Sequence, residues 1–133
     1  PDLVPHRDAA ANAGRSALLV AALTQLPAEP PETSGVLLAA TRDWLHQDYR
    51  SAAMPETSAL VGRLREAGIP AVVSGAGPSV LALLSGQKKS DCRYHLDSLG
   101  SIVRETGIAW HISSLDVERR GARILRPGSQ LGY

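Results

Sequence analysis

The chain has no phenylalanine, and aromatic residues fill only 4% of its 133 positions, so leucine, valine, isoleucine and alanine must build the core. A single cysteine, Cys92, excludes an internal disulfide and fits a reducing cytoplasm. No apolar run approaches the roughly 18 residues of a membrane span, so no membrane partner is expected. Neither sign of charge prevails: the formal net charge is +1, and no basic cluster is interleaved with aromatics, which argues against a nucleic-acid partner. His46, His95, His111 and Cys92 show no metal-ligand spacing, so no metal site is assigned. What remains is an ordinary apolar content of 44% and one domain's length. The opening PDLVPH, with Pro1 in place of Met, reads as the back part of a longer polypeptide.

Asp8 is placed to cap a helix running to about residue 26 and closed by Pro27. Leu19, Ala22, Leu23 and Leu26 form its apolar stripe; traced backward at the same spacing, that line reaches Arg15, Asn12 and Asp8. After the linker AEPPETSG, the pattern predicts a second helix over 34–46 and a third over 57–67, which stops at Gly68 with Pro70 beyond. Strands are expected at 71–74 and 80–84, the second apolar on both faces and therefore central or covered. A fourth helix over 90–105 precedes the alternating segment 108–113 and the short run ARIL at 122–125, both read as strands. The order ααα-ββ-α-ββ predicts an α+β fold: a small antiparallel sheet of about four strands with helices on one face.

Two features invite chemistry. The first is the loop Ser74-Gly75-Ala76-Gly77-Pro78-Ser79 between the two apolar runs. Glycine permits positive φ and close approach to the backbone, so the loop is either a stiffened hairpin turn or a nest of amides for an anion. It is not a dinucleotide fingerprint, because Val80 stands where a third glycine is needed, nor a nucleophile elbow, because Val72 stands where glycine is required. A Gly-Lys-Ser/Thr phosphate loop is absent. The second feature is Arg15, a cation on the inward line of a helix, which needs an anion or an ion-pair partner such as Asp8 or Asp48. His6, beside the cap, reads as structural.

The stretches VPHRDAAANAGRSALLVAAL, LHQDYRSAAMPETSALVGRLREAGIPAVVSGAGPSVLALL and SLDVERRGARIL resemble, in order and spacing, the C-terminal half of the bacterial homoserine kinases, a family of GHMP small-molecule kinases. The resemblance implies that residues 1–133 form a ferredoxin-like GHMP C-terminal domain, with the ATP-binding domain elsewhere. It implies transfer of the ATP γ-phosphoryl to the side-chain hydroxyl of L-homoserine, giving O-phosphohomoserine for threonine biosynthesis. By the same resemblance Arg15 and Arg50 receive the substrate carboxylate; Asn12, one turn before Arg15 on the same face, is placed to contact substrate, to orient that arginine, or only to solvate the helix end. Ser74, Gly75, Ala76, Gly77, Pro78 and Ser79 would then wall the active-site cleft, while ATP and Mg²⁺ are held mainly by the other domain and no catalytic residue is assigned here. Alternatives are another GHMP kinase or a stand-alone amino-acid-binding or dimerisation module; an open sheet edge leaves a homodimer in view.

Overall fold

The computed structural model describes residues 4–24, 30–84, 89–117 and 121. Helix α1 spans His6–Thr24. Asp8 is not its cap: the carbonyl of Pro5 accepts from the amides of Asp8 and Ala9 at 2.9 and 3.1 Å. Asp8 sits instead in the first turn, where a carboxylate meets the positive end of the helix dipole, and pairs with Arg7 at 3.4 Å. α1 packs on α2, Pro30–Ala40, burying Ala22; Leu23, expected inside, is exposed.

The second helix ends six residues short of the expected boundary, and hydrogen bonding explains why. Beyond Ala40 the backbone is diverted to side chains. Asn12 Oδ1 accepts from the Trp44 amide at 3.0 Å, and Asp43 Oδ1 accepts from the amides of Leu45 and His46 at 2.7 and 3.1 Å. The carbonyls of Leu38 and Ala39 are taken by Arg65 and Arg15. Local side-chain acceptors of this kind compete with helix propagation. A short helix α3, Gln47–Arg50, and a single 3₁₀ turn, Ser51–Ala53, lead to α4, Pro55–Glu66, which opens with proline at a first-turn position that has no use for its N–H.

α4 turns Thr57, Leu60, Val61 and Leu64 inward. Strands β1, Ala71–Val73, and β2, Val80–Ala82, form an antiparallel hairpin in which Ala71 faces Ala82 and Val73 faces Val80. Helix α5, Lys89–Glu105, completes the core: Leu60, Leu64, Ile69, Ala71, Leu99 and Val103 cluster together, with Val80, Ala82, Leu84, Ile102 and Trp110 against them.

The sheet therefore has two strands among the described residues, not about four. Among the described residues β2 pairs with β1 alone, and it is not covered on both faces, since Leu81 is half exposed. Residues 108–112 are not a strand: the Trp110 amide donates to the Ile108 carbonyl two residues back, a turn that extended pairing excludes, and Trp110 tucks against the core while Ile112 is exposed. The expected strand at 122–125 lies outside the described residues. No described helix is long and apolar enough to cross a membrane.

Candidate functional site

The glycine loop caps the hairpin. Ser74 N–H donates to the Ser79 carbonyl at 2.8 Å and Gly77 N–H to the Ser74 carbonyl at 3.2 Å, so the turn is closed by its own backbone. Gly75 and Gly77 take φ of +62° and +82°, values that disfavour any side chain. Three neighbours pin the turn. Met54 lies so close that a Cβ on Gly77 would stand 2.7 Å from its sulfur. Thr57 Oγ1 donates to the Pro78 carbonyl at 3.1 Å, and Gln47 Oε1 accepts from the Val73 amide at 3.1 Å. The exposed crest, Gly75 and Ala76, donates neither amide to an acceptor among the described residues. The loop is thus a turn braced by its own backbone and by Met54, Thr57 and Gln47, with the amides of Gly75 and Ala76 at its exposed crest.

Arg15 points inward from α1. It pairs with neither Asp8 nor Asp48; its Nη1 donates to the Ala39 carbonyl at the end of α2, and its guanidinium carbon lies 5.6 Å from the centre of the Trp44 ring. Its Nε is buried without an acceptor among the described residues, as is the Trp44 indole nitrogen. The Trp110 indole nitrogen is likewise buried without an acceptor among the described residues; buried donors are nearly always satisfied, so each is a donor short of a partner. Arg42 lies over the same indole, 4.4 Å from its centre. Asn12 holds the Trp44 backbone rather than Arg15 itself.

Arg50 is exposed at the end of α3, and shares no described partner with Arg15. The two arginines are linked by the chain segment between them: residues 44–50 are anchored to α1 through Asn12 and to the glycine-bearing hairpin through Gln47. His6 is exposed at the start of α1, His46 lies 3.7 Å from Asp43, and His111 is exposed with its Nε2 at 3.0 Å from Ser113 Oγ.

Sequence reasoning missed Arg65. From the last turn of α4 its Nη1 reaches Thr41 Oγ1 and the Ala71 carbonyl, both at 3.0 Å, and its Nη2 reaches the Leu38 carbonyl. Burial, then the charges of Arg42 and Arg15, pull its pKa below the usual arginine value. Nothing in the local pattern announced this, because its acceptors come from α2 and β1. Arg65 itself helps line an open hollow of about 270 Å³, with Arg42, Asp43, Gln47, Asp48 and Ser58. Among the described residues no three His, Cys, Asp or Glu side chains gather where they could hold a metal ion.

A family model for the C-terminal domain of GHMP kinases matches residues 19–100. The homoserine kinase of Streptomyces avermitilis is 50% identical over 125 residues, a match covering 94% of this chain and 35% of that protein. The homoserine kinase of Streptomyces coelicolor is 48% identical over 125 residues, with the same coverage of 94% and 35%. That of Clavibacter michiganensis is 48% identical over 124 residues, 93% of this chain and 35% of the relative. The chain thus spans about a third of the length of these relatives and corresponds to their C-terminal part. It belongs to the GHMP kinase family, as a C-terminal domain of the kind found in homoserine kinases.

Proposed function

We propose that this chain is the substrate-binding, C-terminal part of a homoserine kinase, and that the whole enzyme works in the cytoplasm on the route to threonine. The observation that carries this reading is the inward Arg15, whose buried Nε lacks an acceptor beside Trp44; relatives about 50% identical bear the homoserine kinase name.

In the reaction, the hydroxyl oxygen of L-homoserine forms a bond to the γ-phosphorus of ATP as the bond to the β–γ bridging oxygen breaks, the hydroxyl proton is lost, and ADP leaves. Such transfer depends chiefly on positioning and charge stabilisation. Arg15 and Arg50 hold the substrate carboxylate, Arg15 as a guanidinium fork that an ammonium cannot copy. Asn12 keeps Trp44, and with it the seat of Arg15, in place. The amides of Gly75 and Ala76 line the wall nearest the transferred group. Among the described residues no three His, Cys, Asp or Glu side chains gather as a metal site, and Asp43 and Asp48 share their hollow with Arg42 and Arg65, whose charge opposes a cation, so the metal and the phosphate cradle are assigned to the N-terminal part of the enzyme.

The test is ADP release by the full-length polypeptide with ATP, Mg²⁺ and L-homoserine, compared with the same mixture lacking the amino acid. Homoserine-dependent turnover is expected; its absence, or equal turnover with mevalonate, would reject the assignment. Arg15→Ala should raise KM for homoserine by about 10- to 100-fold, about the worth of a charged hydrogen-bonded pair, and leave KM for ATP within about threefold. Arg15→Lys should also be impaired. Equal effects on both substrates would remove Arg15 from the carboxylate site.

A further inference from the structure

We propose that Arg65 is a positioning residue for the substrate carboxylate: it fastens the end of α2 to α4 and β1, and so sets the place of Trp44 and of Arg15 against it. The inference rests on the proposed site at Arg15 and adds a residue that touches no substrate.

One guanidinium spans three elements. Arg65 leaves α4, donates to the outward-facing carbonyl of Ala71 in β1, and takes Thr41 Oγ1 and the Leu38 carbonyl at the end of α2. Arg15 takes the next carbonyl, that of Ala39. Two arginines from opposite sides of the fold thus hold consecutive carbonyls of one helix end, where the chain leaves the helix for Arg42, Asp43 and Trp44. A planar fork suits this task, since its N–H groups diverge at fixed angles toward separate acceptors.

Without Arg65, the Leu38 and Ala71 carbonyls and the Thr41 hydroxyl would each lose a partner in a half-buried place. Residues 41–44 would then keep the bonds of Thr41 to the Leu37 carbonyl and of the Trp44 amide to Asn12, but lose their tie to α4 and β1. The seat of Arg15 is made of that segment: the Ala39 carbonyl lies just before it, and the Trp44 ring lies within it. An arginine whose seat shifts by an ångström loses its alignment with a carboxylate. Arg65 therefore acts on homoserine binding through Arg15, with three of its five N–H groups committed to these protein acceptors.

The experiment uses the full-length polypeptide and variants at Arg65 and Thr41. Arg65→Ala removes all three bonds; Thr41→Val removes one of them, together with the hydroxyl's own donation to the Leu37 carbonyl, with little change of shape, and Thr41→Ser, which keeps the hydroxyl, is its control. Arg65→Ala should raise KM for homoserine roughly tenfold with kcat and KM for ATP within about twofold, and Thr41→Val should move the same parameter by about threefold, each relative to a fold verified by circular dichroism. Arg65→Lys should restore only part of the loss. A second readout needs no turnover: in a background where Trp110 and any tryptophan outside residues 1–133 are replaced by Phe, the Trp44 emission should shift in Arg65→Ala and much less in Thr41→Val. Unchanged homoserine KM in two folded variants, or unchanged Trp44 emission, would overturn the role of Arg65. A wild-type protein inert toward homoserine but showing the emission shift would reject the kinase assignment while leaving the bracing by Arg65 intact.

Discussion

Gly75 and Gly77 occupy the same turn at similar φ, yet they differ in what surrounds them. A Cβ on Gly75 meets nothing within 4 Å, so Gly75→Ala carries only the left-handed backbone penalty, about 1–2 kcal/mol. On Gly77 the same atom would press on Met54 and on Val73 Cγ1 at 3.2 Å, at a φ of +82°. Gly77→Ala should therefore cost about 1–3 kcal/mol more than Gly75→Ala, the range for an overfilled contact, though methionine's flexible end will absorb part of it. Chemical denaturation of the two variants measures the difference, and equal losses would show that Met54 does not brace the loop. The difference came from contact with a residue twenty-three positions earlier, so spacing within SGAGPS had no means of ranking the two glycines.

Among the elements, α4 does most to join core and site. Its inner face buries Leu60, Val61 and Leu64, while Thr57, 2% exposed, turns its hydroxyl to the Pro78 carbonyl. Thr57→Val keeps the shape, removes that bond and leaves a carbonyl short of a partner, so it should lower stability by about 1–2 kcal/mol. On the proposed reading it should also lower kcat, because the glycine loop loses one of its anchors; Thr57→Ser, which keeps the hydroxyl, should retain most of the activity. A Thr57→Val enzyme with full kcat and reduced stability would confine the residue to the core. The 3.6-residue rhythm made α4 and α5 legible to within two residues, since both are held by continuous apolar stripes. The same rhythm failed from 41 to 46, where Leu45 and Trp44 continue the pattern but Asn12, Asp43, Arg15 and Arg65 claim the backbone groups that the helix needs. It failed again at 108–112, where alternation suited a strand but the backbone folds back at Trp110.

Taken as a whole molecule, the chain divides its site between what local sequence carries and what only folding assembles. Arg15 was visible because a cation interrupts an apolar line, and the glycine loop because two glycines flank one alanine between strands. Arg65, Trp44 and Gln47 were not, because each acts through partners on another element. What neither route supplies is a phosphate cradle: no Gly-Lys-Ser/Thr loop occurs in the 133 residues, and no group of three possible metal ligands gathers among those described. The relatives matched here are about three times longer, with this chain covering 35% of each. On the proposed reading, residues 1–133 expressed alone should release no ADP above background with ATP, Mg²⁺ and homoserine, because the hydroxyl is positioned but nothing holds the γ-phosphoryl in line with it. A coupled ADP assay on the isolated chain checks this, with the full-length polypeptide as the positive control. Turnover by the isolated chain would mean that the amides of Gly75 and Ala76, or the arginines beside Trp44, hold nucleotide themselves, and the division of labour between two parts of the enzyme would have to be abandoned.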